Sequence, residues 1–283
     1  MSGVVQPGYA PPTGPDQPAA PRRGRWLLVV AVVWAVLLAA LTWVSVRDDP
    51  PTVREQRSLD QAGPVVDRAV GELVAAAGDA VLALTPARVE RGCRVTPFAD
   101  GATLARGVDV VVPAGEERAL LERVADRLPA GWGAGVRATP DGPRLRADAG
   151  EFVTVEGRAG TDGRVRLTAD TGCRPVGSGY ATPPPGAAGA ELSVLAEALA
   201  ALGRPAGPDP EVLAAPCPGG GVARTARVAG GAPPLSPAAA LARFATPVAD
   251  TPEVYAYRRG DVAVLVDRAA GDSPVSATTA CPR

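Results

Sequence analysis

From Trp26 to Val46 the chain runs for 21 residues without a charged side chain, and no other feature restricts its fold so sharply. Wound as an α-helix, this stretch reaches about 30 Å, the thickness of a bilayer's hydrocarbon core. A helix also satisfies every backbone polar group within one segment, as lipid demands. Trp26 and Trp43 stand near the two ends, where indole rings settle among headgroups, and Trp34 lies between them. A cleaved signal peptide would carry an apolar core of about 7–15 residues and a small-x-small site. Here the run is longer and ends in Thr42-Trp43-Val44-Ser45. Residues 25–47 therefore read as an uncleaved transmembrane signal-anchor.

Arg22, Arg23 and Arg25 crowd its N-terminal flank, which the positive-inside rule assigns to the cytoplasm. Arg47, Arg54 and Arg57 on the other flank weaken that count, and the cysteines orient the helix better. All four, Cys93, Cys173, Cys217 and Cys281, follow the anchor, and none forms Cys-x-x-Cys. Widely spaced cysteines in even number beyond an anchor indicate two disulfides in an oxidising exterior. Three pairings are open on spacing alone. Cys93–Cys173 with Cys217–Cys281 is favoured, because the order of elements recurs along the chain. The expected location is a cell membrane, single-pass, with the N-terminus cytoplasmic and the C-terminal region extracytoplasmic.

Residues 1–24 read as a disordered, proline-rich cytoplasmic tail, with Pro12, Pro15, Pro18 and Pro21 every third residue. Residues 48–63 read as a juxtamembrane linker. A helix is then expected over 64–84, where Val66, Val70, Leu73, Ala77, Val81 and Leu84 recur at helical steps. Strands are expected around Cys93 and over 107–114, and a helix over 116–128. Paired strands follow, turning at Asp141-Gly142 and Asp162-Gly163. Residues 176–190 form a Pro/Gly linker. The order then restarts, with a helix over 191–202, a strand near 221–230, a helix begun by Ser236-Pro237, a hairpin turning at Arg259-Gly260, and a last strand into Cys281. The predicted fold is α+β: two tandem units, 64–175 and 191–283, with helices on antiparallel sheets, as a degenerate duplication would leave them.

Composition closes off much chemistry. The chain has no His, Lys, Ile or Asn, a bias expected of a GC-rich genome such as an actinobacterial one. Without His or Lys there is no Ser-His-Asp, Cys-His or Ser-Lys constellation and no phosphate-loop lysine. No zinc-ligand spacing or calcium loop occurs. No metal or cofactor is expected, and a net charge of −1 gives no footprint for nucleic acid. Asp109, Glu151, Glu156 and Asp170, in or beside strands, are the carboxylates left for a two-carboxylate hydrolase. Trp132, Tyr255 and Tyr257 are core residues or a binding surface. The reading that follows is a non-enzymatic, membrane-anchored extracytoplasmic module of a bacterial envelope. It would bind or scaffold an envelope protein or a cell-wall component. The alternatives are a sensory ectodomain acting through a cytoplasmic partner and a carboxylate-based envelope hydrolase.

Overall fold

A computed structural model describes residues 23–48, 57–187, 189–204, 209–230, 237–271 and 273–282. Residues 1–22 of the expected tail, Arg22 among them, and the Ser236 cap lie outside these residues, while residues 23 and 24 belong to the first helix. Two units are distinguished, one up to Pro50 and a compact one from Pro51 to the C-terminus.

The first unit holds α1 (Arg23–Asp48), with Arg23 and Arg25 in its first turn. Its stretch Trp26–Val44 is long and apolar enough to cross a membrane. Trp26, Trp34 and Trp43 are all exposed. The Thr42 hydroxyl donates back to the Leu38 carbonyl at 2.7 Å, so this polar side chain needs no external partner.

The compact unit opens with α2 (Leu59–Ala77), whose start is steadied by the Ser58 N–H donating to the Gln61 side chain at 3.2 Å. The helix is shorter at its C-terminal end than its apolar spacing suggests. Gly78, at φ 65°, ends it, and Val81–Leu84 is strand β1. The apolar steps of α2 happen to run on into a strand buried on both faces, so periodicity alone could not separate them. Strands β2 (Arg88–Thr96), β3 (Ala99–Val111), β4 (Gly135–Thr139), β5 (Gly142–Asp148), β6 (Thr154–Ala159) and β7 (Arg164–Asp170) complete an antiparallel sheet, with α3 (Glu117–Arg127) between β3 and β4. Its order is β1-β3-β7-β6-β5-β4, and β2 joins β3 alongside β1. Helices α2 and α3 cover one face through Leu73, Leu121 and Val124 against Leu104, Leu145 and Leu167. Each such side chain contributes roughly 1.5–3 kcal/mol by leaving water. Gly157 of β6 makes room there, since a Cβ would press on Leu121, Leu145 and Leu167.

A second sheet repeats this connectivity. After α4 (Ala190–Ala201) come β8 (Glu211–Pro216), β9 (Val222–Val228), α5 (Pro237–Leu241), β10 (Pro247–Asp250), β11 (Val254–Arg259), β12 (Val262–Asp267) and β13 (Val275–Thr279). Leaving aside β1, the seventh strand of the first sheet, the order β8-β9-β13-β12-β11-β10 matches β2-β3-β7-β6-β5-β4, all pairs antiparallel. The fold is thus mixed α+β, with two tandem units. The disulfides take matching places. Cys93, in the outer strand β2, bonds Cys173 just past β7. Cys217, just past the outer strand β8, bonds Cys281 just past β13. They close loops of 80 and 64 residues, each worth about 4 kcal/mol in the chain-entropy model.

The two sheets share one body. Strand β1 lays Val81 and Ala83 on Val254, Ala256, Ala263 and Leu265, the face of the second sheet that α4 leaves open. Helix α2 also touches β8. A Cβ at Gly71 would collide with the Pro216 carbonyl, so glycine permits this approach. Beneath it lies a buried polar knot. Arg106 of β3 is paired with Asp67 of α2, its Nη2 donates to the Ala214 carbonyl at 2.8 Å, and the Tyr180 hydroxyl donates to Asp67 at 2.7 Å.

Candidate functional site

Alternation along β3, β5, β6 and β7 sends apolar side chains to the helices and polar ones to the opposite face, which no helix covers. Register decides which of the polar residues meet. Asp109 faces Arg166, Arg166 faces Arg158, Arg158 faces Arg144, and Arg144 faces Arg137. One row of residues across five strands therefore reads Asp-Arg-Arg-Arg-Arg. Beside it, Thr168, Glu156 and Arg146 form a second row, and Asp170, Thr154 and Asp148 a third.

This face is hollowed in three neighbouring places. A trough of 590 Å³ is lined by Arg146, Thr154, Glu156, Arg158, Arg166, Thr168 and Asp170. Arg166 and Thr168 also line a cleft of 510 Å³ between the two sheets, whose far wall is Arg227, Leu265, Asp267 and Ser276. At the opposite end, Arg146 and Thr154 also line a notch of 340 Å³ with Trp132, Asp148 and Phe152. Neighbouring hollows thus share lining residues across the sheet, with Trp132 and Phe152 at one end and the second sheet at the other.

The four carboxylates singled out from sequence each have a partner, and two of them, Glu156 and Asp170, line the same trough on neighbouring strands. Asp109 accepts from Arg166 Nε and Nη2 at 2.7 and 3.0 Å. Glu156 is shared by Arg146 and Arg158 at 2.9 and 2.8 Å. The Arg158 hydrogen bond is the main reason its carboxyl stays below the usual range, despite partial burial. Asp170 accepts the Gly172 N–H at 2.6 Å, and Glu151 pairs with Arg57 at 2.6 Å. In the cleft, Asp267 is held by Arg164. Burial alone would raise its pKa, but the guanidinium and the Ala269 and Ala270 N–H groups outweigh that and lower it.

Trp132 is half-buried beside the first core and lines the notch. Its companion Phe152 was not anticipated. It is 43% exposed and sits at φ 60°, directly after Glu151 at φ 53°. Two successive non-glycine residues in the left-handed region are uncommon and strained. Here they are clamped. The buried Arg174 donates to the Glu151 carbonyl, and Val153 N–H closes the turn on Gly150 O at 2.9 Å.

Tyr255 and Tyr257 are not at a surface. Both are buried in the second core under α4, with Phe244 stacked on Tyr257 at 6.4 Å between centroids. Burial is the chief reason both phenols titrate high, Tyr257 at about 12. Among the described residues no group of three or more Cys, Asp or Glu could hold a metal ion. The arginines were the signal overlooked. Arg144-Leu145-Arg146 and Arg164-Val165-Arg166 show that arginines share a face, but only strand register lines them up. Compared with known proteins, the chain matches no family model, no curated protein and no solved structure.

Proposed function

We propose that this chain is a non-catalytic binding module displayed on the outer side of a bacterial cell membrane, its short N-terminal tail in the cytoplasm. Its ligand lies along the open face of the first sheet, in the trough and cleft between the aromatic notch and the second sheet. The observation that carries this reading is that the neighbouring hollows share lining residues while their carboxylates are tied to arginines or backbone N–H groups. Such a surface presents donors and acceptors for recognition, without a poised acid or base for bond cleavage. The two disulfides and the apolar helix support the envelope setting. The shared connectivity of the sheets supports descent by tandem duplication, one copy keeping a charged open face and the other covering its own with β1.

Full-length protein in detergent micelles, mixed with isolated cell-envelope material, tests the reading. It predicts that the protein sediments with the envelope fraction and releases no soluble fragments from it. Release of reducing ends or peptides would favour the hydrolase instead, and failure to sediment would remove the binding reading.

A further inference from the structure

We propose that the arginine row of the first sheet binds a polyanionic chain laid across the strands. This deepens the binding reading above and rests on it. Like charges placed directly opposite in neighbouring strands are normally destabilising, yet Arg137, Arg144, Arg158 and Arg166 stand in unbroken register. Strands about 4.8 Å apart put the outer two of these four roughly 14 Å from one another. A linear polymer with an anionic group about every 5 Å matches that ladder.

Carboxylates match the row only in part: Asp109 holds Arg166, Glu156 holds Arg158, Asp141 holds Arg144, and Asp148 and Asp170 lie two rows over. Asp109 lies at its end, and Glu156, one row over, is divided between Arg146 and Arg158. Arg144 reaches only Asp141, a turn residue whose side chain is 77% exposed. Among the described residues Arg137 has no carboxylate within ion-pair reach, while Arg158 and Arg166 keep most of their side chains in solvent. A guanidinium carries five N–H donors, and Arg166 spends two on Asp109 while Arg158 spends one on Glu156. The rest point to phosphate or carboxylate groups, which guanidinium binds in bidentate fashion. Arg158 and Arg166 also line the 590 Å³ trough, whose carboxylates Glu156 and Asp170 are already held by arginines and the Gly172 N–H.

The test is titration of full-length protein in neutral detergent micelles with labelled inorganic polyphosphate and, separately, with labelled polyglutamate, read by fluorescence anisotropy. Binding to at least one is expected, and the two arms distinguish a phosphate polymer from a carboxylate one. Affinity should fall at least tenfold between about 50 and 300 mM salt. Arg158→Gln and Arg166→Gln should each weaken it about five- to tenfold. Arg118→Gln, on the helical face where Arg118 pairs with Glu122, should leave it unchanged. Unaltered affinity in the row variants would overturn the proposal, as would binding only to anionic lipid vesicles. If envelope material is still bound while neither polymer is, the polyanion is wrong and the binding module stands. If neither polymer nor envelope is bound, both readings fall.

Discussion

Arg164, the first residue of β7, grips Asp267, the last of β12, through two parallel hydrogen bonds of 2.9 and 2.6 Å. The pair joins sheets whose strands are 103 residues apart in the chain. Both side chains are mostly removed from solvent, so cutting one leaves the other charged and poorly hydrated. Arg164→Ala and Asp267→Asn are each expected to cost about 2–3 kcal/mol. The double variant should cost less than their sum, as a double-mutant cycle in urea unfolding would measure.

The same pair sets an acid sensitivity. Asp267 titrates lower in the folded chain than in the unfolded one. Its stabilising contribution is therefore present above the unfolded value of about 3.9 and is lost as pH falls through the folded one. Unfolding followed from pH 7 to pH 2 should show a shallower loss of stability in Asp267→Asn than in the parent.

Asp67 behaves in the opposite sense. Burial raises its pKa, and Arg106 and Tyr180 only partly offset this. Its ionised form is thus a cost to folding that shrinks as pH falls through the raised value. Asp67→Asn removes that cost but strands the buried Arg106. It should destabilise at pH 7 by about 3–5 kcal/mol, whereas Asp67→Leu with Arg106→Met should recover most of the loss. Thermal unfolding of the parent and the two variants checks this order.

Phe152 is expected to trade stability for exposure. Phe152→Gly relaxes a left-handed backbone and should raise stability by roughly 1 kcal/mol, while envelope binding weakens because the notch loses one of its two rings. Gly71→Val acts only on packing. A side chain driven into the Pro216 carbonyl should cost about 2 kcal/mol or more, visible as a lowered Tm with envelope affinity per folded molecule unchanged.

The long apolar helix, the order of helices and most strands were legible because their signals are local: an uncharged run, an apolar stripe, a turn dipeptide. The strands missed show the limit of such signals. Val81–Leu84 continued a helical spacing, Glu211–Pro216 lay in a proline-rich stretch, and Pro247–Asp250 is only four residues long. The site was less legible. Arg106 and Arg174 look like any other arginine in a chain without lysine, yet both are buried and one clamps the loop that displays Phe152. The row from Arg137 to Arg166 exists only through register, which four separate strands set together. Tyr255 and Tyr257 alternate as surface residues of an edge strand would, but β11 is interior and α4 lies over them.

A binding module on the outer side of the membrane requires that the compact unit face an oxidising exterior. Intact cells carrying the full-length chain, treated with a membrane-impermeant maleimide, test this directly. The prediction is no labelling until a reductant is added, then labelling of Cys93, Cys173, Cys217 and Cys281 without permeabilising the cells. Thiols that react before reduction, or that react only after the membrane is opened, would contradict it.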